Sequence, residues 1–112
     1  LALLYAYKHN EDRMIKLAVS LCGILDLTDK KLLDTNFGYA DGGTVISWLI
    51  GADITHQSQQ WTDASPLYHI SKTAIPTYFI HGEKDEIVPY EQSVSACQRL
   101  RSFNIPSQLS LL

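Results

Sequence analysis

The residues with the clearest potential for chemistry lie where a β-type segment runs into an acidic loop. Thr77-Tyr78-Phe79-Ile80-His81 consists of strand formers and predicts a β-strand, and Asp85 follows shortly after it. A parallel sheet presents its ligand chemistry at the carboxyl ends of its strands. Because Asp85 comes just past such an end, we expect its carboxylate to face a site. Gly82 suits the tight turn between them, and Val88-Pro89 predicts the start of the next helix.

Other polar residues receive simpler interpretations. Glu83 and Glu86 flank Asp85 and are interpreted as solvated loop charges rather than as a catalytic carboxylate pair. His81 is expected to form hydrogen bonds within the loop and not to transfer protons. Asp26 follows another predicted strand, where capping a helix is favoured over touching a substrate. Asp85 is therefore the one candidate catalytic residue, and no substrate-binding residue is identified.

The spacing of the other candidates does not support a local nucleophile or a metal site. Ser20 lies near a strand end, but Ala18 and Cys22 stand where a Gly-x-Ser-x-Gly turn has its glycines, which favours a structural serine. Cys22 has no base beside it in the sequence, and Cys22 and Cys97 are both expected to be free core thiols. The remaining histidines lack the spacing of metal ligands, so neither a metal nor a cofactor is expected. These histidines are His9, His56 and His69.

The surrounding segments alternate between helix and strand. Helices are predicted at 1–9, 30–33, 45–50 and 90–103, and strands at 15–22, 77–81 and 107–112. Residues 55–63 are expected to form a surface helix or loop anchored by Trp61, and Ser65-Pro66 predicts a short helix. The first strand is apolar on both faces, as in sheets that helices cover on both sides. The alternation predicts an α/β fold with a mainly parallel sheet flanked by helices.

Apolar periodicity indicates which side of each element is buried. In the helix at 45–50, the expected buried residues are Ile46, Leu49 and Ile50. In the helix at 90–103, they are Val94, Ala96, Cys97, Leu100 and Phe103. Asn104 predicts a left-handed residue at the end of that helix. In the last strand, Leu109 and Leu111 are expected to point inward.

Composition places the chain among globular proteins and excludes several functions. Apolar residues make up 46% and charged residues 19% of the 112 residues, which is inconsistent with disorder. The net charge of −3 argues against a nucleic-acid partner. No apolar run is long enough to span a bilayer. The two cysteines permit a cytoplasmic location, and nothing in the sequence indicates the oligomeric state.

The two ends suggest a piece of a larger domain. Residues 1–7 begin inside an apolar pattern with no capping residue before them. Residues 107–112 alternate like a strand up to the last residue. We therefore expect residues 1–112 to be the C-terminal part of a single domain, with both ends truncated.

Residues 75–93 resemble the late acid loop of α/β-hydrolases, and most closely that of the esterase/lipase and dienelactone-hydrolase-like branches. In those proteins a strand is followed by His-Gly-x-x-Asp, two variable residues, Val-Pro and a helix. This pattern corresponds to His81-Gly82-Glu83-Lys84-Asp85-Glu86-Ile87-Val88-Pro89. The resemblance implies that Asp85 is the acid of a Ser-His-Asp triad, which orients the catalytic His. Residues 1–7 look like the helix after the nucleophile, and Ala64-Ser65-Pro66 looks like the short helix before the acid strand.

The resemblance implies that the chain is part of a single α/β-hydrolase domain. Its parent would be a serine hydrolase that acts on small-molecule carboxylic esters through an acyl-enzyme intermediate. No two glycines bracket a serine in the nucleophile pattern, so the nucleophile is expected outside residues 1–112. In the family the catalytic His follows the next strand, which places it shortly after Leu112. Two alternatives stay open: a peptidase of the prolyl-oligopeptidase type, and a non-catalytic binding module with the same fold.

Overall fold

Helices and strands alternate around a small sheet. The computed structural model describes residues 1–53, 55 and 58–112 in full and only the backbone of residues 54, 56 and 57, so the side chain of His56 lies outside the described residues. The helices are α1 (Ala2–Lys8), α2 (Lys30–Leu33), α3 (Gly42–Ile50), α4 (Ile54–Asp63) and α5 (Glu91–Ser102), with a 3₁₀ turn at Pro66–His69. The strands are β1 (Ala18–Leu21), β2 (Thr77–His81) and β3 (Ser107–Leu111). No helix in the described part of the chain has the length and hydropathy that crossing a membrane requires.

The sheet is parallel, with β2 between β1 and β3. Thr77 of β2 pairs with Ala18 on one side and with Ser107 on the other. The connection from β1 to β2 contains α2, α3 and α4, and the connection from β2 to β3 contains α5. This arrangement confirms the predicted α/β fold with a parallel sheet flanked by helices. Because the strands are parallel, the loops that follow them begin at the same edge of the sheet.

The main core lies on the side of the sheet that carries Phe79, which is fully buried. Helices α1 and α5, the 3₁₀ turn and the segments around them pack on it through Leu3, Ala6, Tyr7, Leu67, Ile70, Ile75, Ala96, Cys97 and Leu100. The Tyr7 hydroxyl is hydrogen-bonded to Thr77 Oγ1 at 2.7 Å. Burial raises the pKa of Tyr7 to about 12, and the bond to Thr77 only partly opposes this. These contacts join the first helix to the central strand.

A second, smaller core is built by the connection between β1 and β2. Trp61 is fully buried in it and donates its indole N–H to the carbonyl oxygen of Ala52 at 3.0 Å. Leu32, Ile46 and Val88 complete the cluster. Trp61 is therefore an anchor, as predicted, and the segment around it is helical. The second core includes Val88 because the loop after β2 packs against this connection.

Capping residues explain where these helices begin and end. Asp41 accepts a hydrogen bond from the Thr44 N–H, and α3 consequently begins at Gly42, earlier than the predicted residue 45. Asp29 caps α2 in the same way. At the other end of the chain, Asn104 follows α5 with a left-handed φ of 60°. The predicted left-handed residue there is confirmed.

Some predictions of burial are wrong. The exposed fraction is 81% for Leu49, 69% for Leu21, 55% for Val19, 41% for Phe103 and 38% for Leu111. For β1 the reason is that α1 and α5 both pack on the Phe79 side, so neither covers the opposite side of the strand. Apolar character shows that a side chain can be buried, but the position of the neighbouring elements decides whether it is.

Candidate active site

Asp85 lies in the acid loop (residues 82–90), which follows β2 at the carboxyl edge of the sheet. Its Oδ1 accepts hydrogen bonds from the backbone N–H groups of Ile87 and Val88, both at 2.9 Å. The Asp85 N–H donates to the carbonyl oxygen of Gly82 at 3.2 Å and closes the turn. Two backbone donors therefore hold Oδ1, whereas Oδ2 has no backbone donor within the described ranges. The Asp85 side chain is 20% exposed.

The surroundings of Asp85 keep its carboxyl group ionised. Burial raises the pKa of Asp85, because an ionised group loses solvation away from water. The hydrogen bonds from Val88 and Ile87 and the nearby His81 ring act in the opposite direction and outweigh burial, so the pKa lies below its ordinary value. At neutral pH the side chain is thus a hydrogen-bond acceptor only. This is the state in which a carboxylate can bind an imidazole N–H.

His81, the last residue of β2, is fully buried beside Asp85. Its Nε2 lies 2.9 Å from the carbonyl oxygen of Val88, and its Nδ1 lies 2.8 Å from Ser93 Oγ. Because a carbonyl oxygen only accepts, Nε2 carries a hydrogen and donates it to Val88. The same nitrogen lies 3.4 Å from Asp85 Oδ2. The prediction that His81 forms hydrogen bonds within the loop is confirmed, and the bond to Ser93 extends them to α5.

Val88 connects the acid loop to the second core. Its N–H is bonded to Asp85 and its carbonyl oxygen to His81, so both of its backbone polar groups are used inside the site. Its side chain packs in the second core with Trp61. Movement of Val88 would therefore break two hydrogen bonds and uncover apolar surface. The acid loop is held from the sheet side and from the side of the second core.

An open cavity of about 250 Å³ lies beside Asp85. Lys31 and Tyr90 are among the residues that line it. The Lys31 side chain forms an exposed ion pair with Glu91 at 2.6 Å, which links α2 to the start of α5. The cavity lies at the edge of the sheet at which Asp85 lies.

The post-β1 loop (residues 22–29) begins at the same edge and is held by Gln92 of α5. Gln92 Oε1 accepts hydrogen bonds from the N–H groups of Leu25 and Asp26, at 2.9 and 3.0 Å. Gln92 Nε2 donates to the Asp26 carbonyl oxygen at 3.0 Å. Asp26 itself closes a local turn by accepting from the Thr28 N–H, while Asp29 is the residue that caps α2. The structural role predicted for Asp26 is thus filled by a turn and not by a helix cap.

Cys22 is exposed, so the prediction of a core thiol is wrong for it, whereas Cys97 is buried as expected. Cys22 has a left-handed φ of 48°, which turns the chain at the end of β1 and takes its side chain out of the strand alternation. Ligand atoms of Cys22, His81 and Asp85 lie within 4.8 Å of one another. For His81 to coordinate a metal through Nε2, it would have to give up its bond to Val88. The geometry therefore favours a hydrogen-bonded loop over a metal centre.

The ends of β1 and β2 differ in how much room they leave for a side chain at Gly23 and at Gly82. Ser20 is buried, and its Oγ has no hydrogen-bond partner among the residues that the structure describes. A Cβ on Gly23 would lie 2.8 Å from that Oγ, so a larger residue at this position would force the Ser20 side chain to move. A Cβ on Gly82 would meet nothing within 4 Å, and its φ is not left-handed. The turn after β2 therefore does not require the glycine that the sequence interpretation assigned to it.

Two residues of α5 that organise this edge are not among the residues predicted for the site. Gln92 and Ser93 are 3% and 1% exposed; Gln92 bonds the post-β1 loop, and Ser93 bonds His81 at the end of β2. The available signal is their helical spacing, because they lie three or four residues before the buried Ala96 and Cys97. Polar residues on the buried side of a helix need partners. Their positions could thus have been flagged, but not the identity of the partners.

Residues 2–100 of the chain match the model of one protein family, BD-FAE. The chain belongs to the BD-FAE family. This is an α/β-hydrolase-type family, so the resemblance to α/β-hydrolases is confirmed. The matched range includes β1, β2, the acid loop and most of α5 of the BD-FAE chain.

Two curated relatives match this BD-FAE chain over different lengths. "Probable carboxylic ester hydrolase LipM" of Mycobacterium tuberculosis is 40% identical over 47 residues, which are 42% of this chain and 11% of LipM. The acylamino-acid-releasing enzyme of Mus musculus is 26% identical over 93 residues, which are 83% of this chain and 12% of that enzyme. The chain therefore spans about a tenth of the length of each relative.

Solved structures resemble the BD-FAE chain over nearly its whole length. A puromycin-hydrolyzing peptidase of Mycobacterium tuberculosis has a TM-score of 0.78 at 25% identity and covers 98% of this chain, which matches 16% of that peptidase. An acetyl ester-xyloside bifunctional hydrolase from Caldicellulosiruptor lactoaceticus has a TM-score of 0.66 at 19% identity, covering 99% of this chain and 40% of that one. The second likeness concerns the fold alone.

Proposed function

We propose that this chain is part of a serine hydrolase that cleaves carboxylic esters, and that Asp85 is the acid of its Ser-His-Asp triad. The observation that carries the proposal is the asymmetry of the Asp85 carboxylate. Oδ1 is bound by two backbone N–H groups, whereas Oδ2 has no backbone donor in the described residues. A triad acid needs this asymmetry, because one oxygen must be held in place while the other accepts the N–H of the catalytic imidazole.

The serine nucleophile and the catalytic His would come from parts of the protein outside residues 1–112. The surroundings of Leu112 support this for the His. The Leu112 N–H donates to the His81 carbonyl oxygen, and its own carbonyl oxygen accepts from the Glu83 N–H, both at 2.9 Å. Residues after Leu112 would therefore start beside the acid loop. A His within roughly a dozen residues of this point, a typical connection length, is close enough to bind Asp85 Oδ2.

The proposed reaction proceeds through an acyl-enzyme. The serine oxygen attacks the ester carbonyl carbon while the His takes the serine proton and then passes it to the leaving alcohol. Asp85 holds the correct tautomer of the His and stabilises the imidazolium that forms. Water then attacks the acyl-enzyme by the same route in reverse, releasing the carboxylic acid and the free serine.

The substrate class separates two versions of the proposal. The identity of 40% to an ester hydrolase supports esters, although it covers only 42% of this chain. The likeness to the acylamino-acid-releasing enzyme extends over 83% of the chain and supports a peptidase, in which the leaving group is an amine. Both versions use Asp85 in the same way. We place ester hydrolysis first because the local identity is higher.

The test is Asp85→Asn in the full-length protein. The amide favours the wrong tautomer of the catalytic His, so kcat for p-nitrophenyl acetate should fall by roughly 10⁴-fold while the melting temperature changes little. The matched control is Asp12→Asn, because the Asp12 carboxylate also accepts a hydrogen bond from the backbone N–H two residues later, that of Met14. This control should hydrolyse the ester at the wild-type rate.

Three outcomes separate the candidate functions. Wild-type kcat in Asp85→Asn would refute the triad role of Asp85. Faster turnover of an acylamino-acid p-nitroanilide than of the ester, with the same loss in Asp85→Asn, would favour the peptidase. If the wild-type protein hydrolyses neither substrate and is not labelled by a fluorophosphonate, the non-catalytic binding module replaces both.

A further inference from the structure

His81 and Ser93 form a buried, hydrogen-bonded pair beside Asp85. Both ring nitrogens of His81 have hydrogen-bond partners. His81 is 0% exposed and Ser93 is 1% exposed. Nε2–H of His81 donates to the Val88 carbonyl oxygen at 2.9 Å, which leaves Nδ1 to accept from the Ser93 hydroxyl at 2.8 Å. A histidine bonded on both sides cannot rotate without losing at least one bond. The ring is therefore fixed between β2 and α5.

The fixed ring contacts both parts of the Asp85 arrangement. Its Nε2 lies 3.4 Å from Asp85 Oδ2, the oxygen that the backbone does not hold. The same nitrogen binds the carbonyl oxygen of Val88, the residue whose N–H holds Oδ1. His81 thus acts on one carboxylate oxygen directly and on the other through Val88. The backbone bonds to Oδ1 alone leave the carboxylate free to turn about that oxygen.

We propose that His81, locked by Ser93, is a positioning residue that sets the orientation of the Asp85 carboxylate. It does not exchange protons with the substrate. Its Nε2 lies 2.9 Å from the Val88 carbonyl oxygen and 3.4 Å from Oδ2, so its N–H attracts Oδ2 and fixes the plane of the carboxylate, while a second lone pair of Oδ2 stays available for an incoming N–H donor. This inference rests on the proposed function, because an orientation of Oδ2 matters only if Asp85 binds the catalytic His.

Two conservative substitutions at His81 distinguish the role of Nε2 from the role of Nδ1. The amide nitrogen of Gln lies near the place of Nε2, so His81→Gln keeps a donor for Val88 and Asp85 and loses the bond to Ser93. The amide of Asn lies near the place of Nδ1, so His81→Asn keeps the Ser93 side and loses the side that faces Asp85. Each variant gives up a buried hydrogen bond, and similar losses of stability are therefore expected.

The experiment measures kcat and KM for p-nitrophenyl acetate, together with melting temperature, in the full-length protein carrying each substitution. A misplaced catalytic group can cost about 100-fold in rate, so we expect His81→Asn to lower kcat by roughly 10- to 100-fold with KM unchanged. His81→Gln should retain kcat within about threefold of wild type, since it restores the donor at Nε2. A purely structural role predicts equal kcat values in the two variants.

Ser93→Ala is the second variant if His81→Asn does not fold. It leaves the ring in place but removes the bond that locks it, so kcat should fall by about three- to tenfold at unchanged KM. Wild-type kcat in Ser93→Ala, or equal kcat in His81→Asn and His81→Gln, would overturn the positioning role. If these results occur while Asp85→Asn loses its activity, the positioning role alone fails. Full activity in Asp85→Asn removes both proposals together.

Discussion

The acid loop and the post-β1 loop start from neighbouring parallel strands at the same edge of the sheet, yet they are held in different ways. In the acid loop, Asp85 bonds the N–H groups of residues two and three positions later. In the post-β1 loop, the corresponding backbone groups of Leu25 and Asp26 are bonded by Gln92, which lies 67 and 66 residues away in the sequence. Both loops contain a local turn around an Asp, but the N–H groups next to Asp85 are bonded by a side chain of the same loop, whereas those of Leu25 and Asp26 depend on a distant one.

The two loops also differ in backbone strain and in polar satisfaction. Cys22 leaves β1 with a left-handed φ of 48°, whereas no residue of the acid loop has a positive φ. Left-handed backbone costs a non-glycine residue about 1–2 kcal/mol. Ser20, just before the post-β1 loop, keeps a buried hydroxyl without a partner in the described chain. The buried His81, just before the acid loop, has partners at both ring nitrogens. The loop that carries the candidate catalytic residue is the better satisfied of the two.

Removing the Gln92 side chain should have the largest effect on the free energy of unfolding. Gln92→Ala leaves two N–H groups and one carbonyl oxygen of the post-β1 loop without their partner. An unsatisfied buried group costs about 1–3 kcal/mol, and water can replace part of the loss. We therefore expect the free energy of unfolding to fall by roughly 2–4 kcal/mol in urea titrations.

The control for this prediction is Gln98→Ala on the same helix. Gln98 is exposed, and exposed substitutions change stability by no more than about 0.5 kcal/mol. If Gln92→Ala costs no more than Gln98→Ala, the post-β1 loop does not depend on α5, and the contrast between the two loops is lost.

Adding one methyl group to each loop compares them directly. Gly23→Ala forces a Cβ to within 2.8 Å of the buried Ser20 Oγ, and such overpacking costs about 1–3 kcal/mol. Gly82→Ala meets nothing within 4 Å and should change stability by less than about 0.5 kcal/mol. Thermal unfolding of both variants measures the difference.

A double variant identifies the cause of the Gly23 effect. Ser20→Ala removes the clashing hydroxyl, which has no partner to lose among the described residues. The combination of Ser20→Ala with Gly23→Ala should therefore recover most of the lost stability. Equal costs for Gly23→Ala and Gly82→Ala would contradict the close contact after β1.

Lowering the pH should remove the stabilisation that the ionised Asp85 gives to the folded chain. The pKa of Asp85 lies below its ordinary value in the folded chain, so as the pH falls the unfolded chain takes up this proton first. The stabilisation is present above the unfolded pKa, near 4, and is lost as the pH falls through the folded pKa. Urea unfolding between about pH 6 and pH 2 should show a smaller pH dependence in Asp85→Asn than in wild type. Gln92→Ala should keep the wild-type pH dependence, because it acts on the other loop.

The sequence by itself determined the features of this protein that depend on nearby residues. The alternation of helices and strands and the left-handed Asn104 follow from local patterns and agree with the structure. The spacing from His81 to Asp85 and Val88 likewise predicted the acid loop. The physical reason is that caps, turns and strand periodicity depend on hydrogen bonds and backbone angles within a few residues.

Only the tertiary structure decided which distant groups meet. It selected Gln92 as the partner of the post-β1 loop and Ser93 as the partner of His81, turned Cys22 outward, and left Leu49 exposed although its helix is apolar. A polar residue on the buried side of a helix shows that it needs a partner, but any loop at the same edge of the sheet can supply one. The choice depends on how α5 lies against β2, and that position results from burial of the whole core around Phe79, which is not encoded in any single segment.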